Sequence, residues 1–169
     1  ATQLSEKQVF SGFYGFLDLI LLVDEGQKKV SSTLGHSLLE NHPFAQARFT
    51  KANENMTLLK QALKDGDLGM FTKIVEGEAM MLHAMMMTSN PYFILMRPNT
   101  LKIIEKVWDF RKETGLHPVI TLDAGANVHI LFPQEEQEAI MNFAVNELLQ
   151  YCEENKYICS TIGNGPKQL

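Results

Sequence analysis

The sequence predicts an α+β domain in which amphipathic helices cover one β-sheet. Its 169 residues are enough for one compact domain with a sizeable core. Hydrophobic residues make up 45% and charged residues 21% of the chain, which is typical of a globular protein and excludes a disordered or collagen-like chain. Short apolar runs alternate with segments of helical periodicity. We therefore expect residues 1–169 to form a single domain.

A short apolar run at residues 18–25 (DLILLVDE) predicts the first strand, buried on both faces. Residues 1–17 mix aromatic side chains with glycines and predict no regular element. Polar and small residues follow at 26–35 (GQKKVSSTLG), which predicts a loop. A short helix is expected to continue from this loop to about Glu40.

Three longer helices are predicted next. The first begins at Pro43, because proline at the first helical position loses no needed hydrogen bond. Its expected buried face is formed by apolar residues three and four apart: Ala45, Phe49, Ala52, Met56, Leu59 and Leu63. The turn at 65–67 separates it from an antiparallel second helix, which ends before Asn90-Pro91. The third helix runs from about Asn99 to Gly115.

After the third helix the periodicity changes to that of strands. Residues 117–123 (HPVITLD) and 127–132 (NVHILF) predict a hairpin around the tight turn at 124–126. An amphipathic helix is expected at 134–153 and a final strand at 157–162. The order is strand, helices, hairpin, helix, strand. It predicts a mostly antiparallel sheet packed under helices, a two-layer sandwich of ferredoxin-like type.

Charge and hydropathy exclude several classes of function. The chain has 15 Lys and Arg against 20 Asp and Glu and no basic run, so we expect no nucleic acid and no anionic membrane as partner. No apolar stretch approaches the roughly 20 residues needed to span a bilayer. Two cysteines, Cys152 and Cys159, are too few for a disulfide framework. We expect both to be reduced, buried side chains of a cytoplasmic protein.

No metal site is predicted. The histidines are His36, His42, His83, His117 and His129. No two of them are four residues apart on one helix, and no cysteine or acidic cluster accompanies them at ligand spacing. We therefore expect surface or hydrogen-bonded core histidines. The methionine-rich stretch at 80–87 is assigned to the core, because successive methionines point around the whole helix.

Two segments carry candidate chemistry. In the first, Ser31, Ser32 and Thr33 lie between a predicted strand and a helix. Hydroxyls and free amides at a helix N-terminus can bind an anion or phosphate, but they also form ordinary helix caps, and both alternatives stay open.

In the second segment, Asp123 ends an apolar strand where the small-residue turn of Ala124 and Gly125 begins. Small residues let a ligand approach the backbone closely, and a carboxylate at the mouth of a sheet is a candidate general base. The alternative is an aspartate that only accepts hydrogen bonds from turn amides. Composition alone favours this alternative.

Together these segments resemble a known family. KKVSSTLG at 28–35 and the motif D-A-G-x-N at 123–127 resemble the C-terminal half of diphosphomevalonate (mevalonate diphosphate) decarboxylases, in the GHMP kinase superfamily. The resemblance covers about 18–162 and includes Leu82-His83-Ala84 and the stop at Asn90-Pro91. In the superfamily's small-molecule kinases the corresponding turn is usually a run of glycines without the acid. The motif therefore indicates the decarboxylase branch, although His36 replaces the usual methionine and Ala126 the usual proline.

The resemblance implies an ATP-dependent reaction that converts (R)-5-diphosphomevalonate to isopentenyl diphosphate, carbon dioxide, ADP and phosphate, with Mg²⁺ in the complete enzyme. It implies that Asp123 is the catalytic carboxylate. The implied substrate-side residues are Ser31, Ser32 and Thr33, and the implied turn that supports the site contains Ala124, Gly125 and Asn127. Family members are roughly twice as long, and their N-terminal domain supplies the ATP site. We therefore expect an inactive chain without tightly bound ATP, whose partners are the missing domain or a second copy.

Two other functions remain alternatives. The chain could be the C-terminal domain of another small-molecule kinase of the superfamily, which would turn over ATP without releasing carbon dioxide. It could instead be a non-catalytic ferredoxin-like module for interaction or ligand sensing. In that case Asp123 is only a turn residue, and Asp123→Ala would change stability without changing any ligand affinity.

Overall fold

The computed structural model describes residue 13, residues 15–26 and residues 42–161. The strands in this part of the chain are β1 (Phe16–Leu21), β2 (Val119–Leu122), β3 (Val128–Pro133) and β4 (Tyr157–Thr161). The α-helices are α1 (Ala45–Asp65), α2 (Leu68–Met87), α3 (Pro98–Thr114) and α4 (Gln137–Phe143). Residues 27–35 of the predicted 26–35 loop, and the short helix after it, lie outside the described residues.

The four strands form one sheet in the order β2-β3-β1-β4, and every neighbouring pair is antiparallel. β1 therefore lies inside the sheet, between β3 and β4, while the hairpin β2–β3 forms one side. This is the strand order of a split βαβ fold. The predicted α+β sandwich of ferredoxin-like type is confirmed.

The main core lies between one face of the sheet and the helices. Alternate residues of β1 point into it, which corrects the prediction of a strand buried on both faces, since Asp18 and Ile20 are only half-buried. The largest fully buried side chains come from β1, β2, β3, α3, α4 and the helical residues directly after α4: Leu19, Leu21, Ile103, Ile120, Ile130, Phe132, Ile140 and Leu148. This core holds the ends of β1 and β2 in fixed positions.

A second, aromatic cluster attaches α1 and α2 beside β2. Phe13, Phe16 and Phe71 pack with ring centroids 5.0 to 5.6 Å apart, and Val119 lies against them. The predicted buried face of α1 is wrong in part, because Phe49 and Met56 are 50% and 53% exposed. The reason is that α1 contacts chiefly α2, so it is an outer helix with little apolar surface to cover.

The predicted helix at 134–153 is interrupted. α4 ends at Phe143, a π-helical segment follows at Ala144–Leu148, and shorter 3₁₀ turns lead to Asn155. Glu154 and Asn155 have φ values of 49° and 56°, which ends the helical path and lets β4 return along β1.

The cysteines differ from each other. Cys152 is buried as expected, but Cys159 is exposed, because every residue of the edge strand β4 is exposed. The expectation of two buried cysteines is therefore wrong for Cys159. None of the described helices is long and apolar enough to cross a membrane.

Candidate active site

A cleft of about 370 Å³ opens at the edge of the sheet where β1 and β2 end. Four segments form its wall: the residues after β1, the β2–β3 turn, the stretch that leads into α3, and strand β4. The lining residues are Leu22, Asp24, Glu25, Gly26, Ile94, Leu95, Arg97, Asp123, Ala124, Gly125, Ala126, Asn127 and Ile158. The whole D-A-G-x-N motif therefore faces one cavity.

Asp123 is the first residue after β2, and its carboxylate folds back over the turn. A Cβ atom placed on Gly125 would lie 2.8 Å from Oδ1 of Asp123 and 3.5 Å from its Cγ. No real Cβ contact is that short, so glycine at this position is what allows the carboxylate to occupy the space. The Oδ1 atom is buried, while the residue as a whole is half-buried. The carboxylate thus lies at the boundary between protein interior and cleft.

Hydrogen bonds from three elements hold this turn. Nε2 of His83, on α2, lies 3.1 Å from the main-chain oxygen of Asp123. The Thr100 hydroxyl, on α3, donates to the main-chain oxygen of Ala126 at 2.6 Å. Oδ1 of Asn127 accepts from the amides of Val23 and Asp24 at 2.9 and 3.2 Å, which ties the turn to the end of β1. We call His83, Thr100 and Asn127 the turn supports.

Arg97 and Asp24 face each other in the cleft. Nε of Arg97 lies 3.0 Å from Oδ2 of Asp24, and Oδ1 of Asp24 accepts from the amide of Gly26. The pair is partly exposed and adds little to stability, but it orients the guanidinium. Arg97 is the only basic side chain among the described lining residues, which also include three acids, Asp24, Glu25 and Asp123.

Two histidines lie near Asp123 and have shifted pKa values in opposite directions. Burial lowers the pKa of His83, which outweighs the opposing effects of Asp123. His129, on β3, has a raised pKa chiefly because its Nδ1 bonds to Asp18, with Oδ2 at 3.0 Å. At neutral pH, His83 is therefore an uncharged hydrogen-bond donor, whereas His129 binds a proton more tightly than an ordinary histidine does.

The structure places the predicted residues as follows. Asp123, Ala124, Gly125 and Asn127 all line the cleft. Ser31, Ser32 and Thr33 lie outside the described residues, so their proximity to Asp123 stays a prediction.

Asp24 and Arg97 also line the cleft, although neither was predicted from the sequence. Asp24 follows an apolar strand in the same way as Asp123 does, and this repetition was a usable signal. Arg97 precedes Pro98 at the start of α3, and nothing in the sequence alone distinguishes it from an ordinary helix-flanking residue.

The four histidines in the described ranges have hydrogen-bond partners, as expected. His42 bonds Thr88 and His83 bonds the Asp123 carbonyl. His117 and His129 each pair with a carboxylate. Within the ranges given above, no group of three or more His, Cys, Asp or Glu side chains could hold a metal ion.

Comparison with known proteins assigns the chain to a family. Residues 18–168 match the family described as "Mevalonate 5-diphosphate decarboxylase C-terminal domain". The chain belongs to this family. The resemblance inferred from the D-A-G-x-N motif is therefore confirmed, and the match covers nearly the whole chain.

Individual relatives agree with this assignment. A phosphomevalonate decarboxylase of Haloferax volcanii is 26% identical over 101 residues, which is 60% of this chain and 31% of that protein. A mevalonate diphosphate decarboxylase from Legionella pneumophila has a TM-score of 0.78 at 26% identity, over 86% of this chain and 45% of its own. A structure described as MDDEF in complex with MVAPP, AMPPCP and magnesium has a TM-score of 0.76 at 23% identity, over 88% and 44%. This chain thus spans less than half the length of the relatives it matches.

Proposed function

We propose that this chain is the C-terminal part of an ATP-dependent decarboxylase that converts (R)-5-diphosphomevalonate to isopentenyl diphosphate, carbon dioxide, ADP and phosphate. The observation that carries the proposal is the placement of the Asp123 carboxylate in a cleft formed by the D-A-G-x-N motif, within the region that matches the family. We propose a separate N-terminal domain for the ATP site and a cytoplasmic location. The relatives' greater length supports the first of these.

In the proposed reaction, Asp123 accepts the proton of the tertiary 3-hydroxyl of the substrate, or orients that hydroxyl. A tertiary alcohol is a poor nucleophile, so a base held in position lowers the barrier to phosphoryl transfer. ATP, when bound, supplies the phosphoryl group, and loss of phosphate and carbon dioxide then yields the alkene. The half-buried position of Asp123 supports this role, because charges interact more strongly where water is partly excluded.

ATP and magnesium are assigned to no residue of this chain. The described part holds no group of three or more side chains that could bind a metal ion, and the cleft lining carries three acids against the single Arg97. A diphosphate needs more cationic and amide donors than this wall supplies. We therefore propose that the diphosphate is held by the N-terminal domain together with Ser31, Ser32 and Thr33.

The test is ATP-dependent release of carbon dioxide from diphosphomevalonate. The chain alone is expected to show no turnover, and addition of a matching N-terminal half is expected to restore it. In that assembly, Asp123→Asn should lower kcat by about 10²- to 10⁴-fold. Asp109→Asn is the matched control, because Asp109 is exposed on α3 and does not line the cleft. Equal activity of the Asp123 variant and wild type would contradict the proposal.

A second candidate substrate is phosphomevalonate, the monophosphate. The similarity to the Haloferax volcanii phosphomevalonate decarboxylase favours it. Measuring kcat/KM for both substrates in the same assembly distinguishes the two reactions. A preference for the monophosphate by more than tenfold would replace the diphosphate in the proposal.

We also propose that the isolated chain self-associates. Tyr92, Ile94 and Ile158 are large apolar side chains that are exposed, and two of them line the cleft. Exposed apolar surface of this kind is characteristic of an interface. Sedimentation equilibrium over a range of concentrations should show mass above 19.1 kDa, and a monomer at all concentrations would contradict this proposal.

A further inference from the structure

We propose that His83 is a positioning residue for Asp123: its Nε2–H group holds the main-chain carbonyl of Asp123 and thereby fixes the direction of the carboxylate. The catalytic role of Asp123 in this inference rests on the proposed function. The contact between His83 and the Asp123 carbonyl does not depend on it. It assigns a purpose to the Leu82-His83-Ala84 segment of α2, which the reaction itself does not use.

The tautomer of His83 follows from its contacts. The side chain lies on α2, is 1% exposed, and its Nε2 is 3.1 Å from the oxygen of Asp123. A carbonyl oxygen only accepts hydrogen bonds, so Nε2 carries the proton and Nδ1 does not. Burial lowers the pKa of His83, which keeps the ring neutral at pH 7. The donor is therefore present at all pH values at which the protein is expected to work.

A side chain that served packing alone would be apolar here. Nδ1 of His83 is buried and has no hydrogen-bond partner within the described part of the chain. Burying an unsatisfied polar nitrogen costs stability, whereas an apolar side chain of similar size would avoid that cost. Histidine at this position therefore costs stability and supplies one hydrogen bond, which goes to Asp123, the residue with the candidate base.

The held carbonyl controls the carboxylate because both belong to the same residue. If the main chain shifts at Asp123, its Cα and Cβ atoms move together with the carbonyl group, and the carboxylate is displaced. Thr100 fixes the other end of the turn through Ala126. Gly125 adds no side chain between these points, and the bonds from His83 and Thr100 connect the turn to α2 and α3. Loss of the His83 bond removes the connection to α2.

His42 provides a matched control. It is also a buried histidine, and its Nε2 lies 3.0 Å from Oγ1 of Thr88. It does not line the cleft, and its side-chain hydrogen bonds in the described part of the chain go to Thr88 and to the amide of Phe44. Replacing His42 removes these two bonds and replacing His83 removes the bond to Asp123, so only His83 is expected to affect Asp123.

The experiment compares His83→Leu, His83→Gln and His42→Leu. In the chain alone, ¹⁵N spectra of the histidine rings should show Nε2 protonated and Nδ1 bare for His83. Amide hydrogen exchange at 124–127 should accelerate at least tenfold in His83→Leu, remain near wild type in His83→Gln, which keeps a donor, and be unchanged in His42→Leu. With the N-terminal half added, His83→Leu should lose about 10²-fold in kcat with KM little changed.

Two results would overturn the inference. One is exchange at 124–127 that is unchanged in His83→Leu. The other is loss of kcat in His42→Leu equal to that in His83→Leu at equal loss of stability, which would make His83 an ordinary core histidine. If the wild-type assembly shows no turnover at all, the proposed function fails, while the ring spectra and the exchange rates still decide the position of His83.

Discussion

The two walls of the cleft are built in different ways. The β2–β3 turn is fixed by hydrogen bonds from α2, from α3 and from Asn127 to the end of β1. The opposite wall includes the edge strand β4, in which all five residues are exposed. The first wall carries the candidate base, and the second exposes Ile158 and Tyr157. Hydrogen bonds between elements are thus concentrated at the turn that bears Asp123, while the β4 wall leaves apolar side chains exposed.

The largest expected contrast is in side-chain truncation. Ile130→Ala removes a fully buried side chain from β3 and should lower the free energy of unfolding by about 2–5 kcal/mol. Ile158→Ala removes a side chain that is 51% exposed on β4, and the change should stay within about 0.5 kcal/mol. Urea unfolding of both variants checks the prediction. Equal losses would mean that the buried side of β3 and the edge strand β4 are packed alike.

Removing a turn support should have an intermediate effect. In Thr100→Val the carbonyl of Ala126 stays buried without its donor, and the amide of Arg97 loses its acceptor. We expect a loss of about 1–3 kcal/mol in urea unfolding. Thr114→Val on the same helix is the control, because its hydroxyl donates to Phe110 at an exposed position. A loss no greater than that of the control would show that the turn does not depend on this bond.

A smaller effect is expected from the pair His129–Asp18, on the half-buried face of the sheet. The hydrogen bond to Asp18 raises the pKa of His129, so the folded state binds the proton more tightly than the unfolded state. The resulting stabilisation is fully present below the unfolded pKa of about 6.5 and is lost as the pH rises through the higher folded pKa. Asp18→Asn should therefore flatten the stability profile in this window, measured by urea unfolding at several pH values. If the stability of Asp18→Asn changes with pH as steeply as that of the wild type, the His129–Asp18 pair is not the cause of the pH dependence.

The last contrast is in the reactivity of the two cysteine thiols, which requires no substitution. Burial raises the pKa of Cys152 to about 11, so its thiol should stay unreactive in the native protein. Cys159 lies on the exposed strand β4 and should react with a thiol reagent under native conditions. Counting modified thiols by mass spectrometry should give one in the native protein and two in denaturant. Labelling of Cys152 in the native protein would show that the segment around this residue opens to solvent.

Regular elements with clear periodicity could be predicted from the sequence. The hairpin followed from two alternating segments around 124–126, and the caps of α2 and α3 followed from Asp67 and Gly115. The buried face of α1 could not be predicted from its apolar residues. Asn55 is buried there and donates a hydrogen bond to Glu78, whereas Met56 faces solvent. Tertiary packing decides which side of an outer helix is covered.

The candidate site was predictable only where residues adjacent in sequence form it. The motif at 123–127 combines an acid, small residues and an amide in five positions, and family resemblance assigned its role. Arg97 and Asp24 reach the cleft, and His83 reaches the main chain of Asp123, from three separate parts of the chain, and sequence patterns give no distance between such parts. Their contribution required the sheet order β2-β3-β1-β4, which brings the ends of β1 and β2 to one edge.

The bond between Asn127 and the end of β1 has a consequence for the order of folding. It joins residues 104 positions apart in the chain, and β1 pairs with β3 and β4 over similar separations. Contacts this distant form slowly, because a long loop must close before they stabilise the chain. The cleft therefore cannot assemble from one half of the domain, and in refolding kinetics its formation should coincide with completion of the sheet, after the local α1–α2 hairpin.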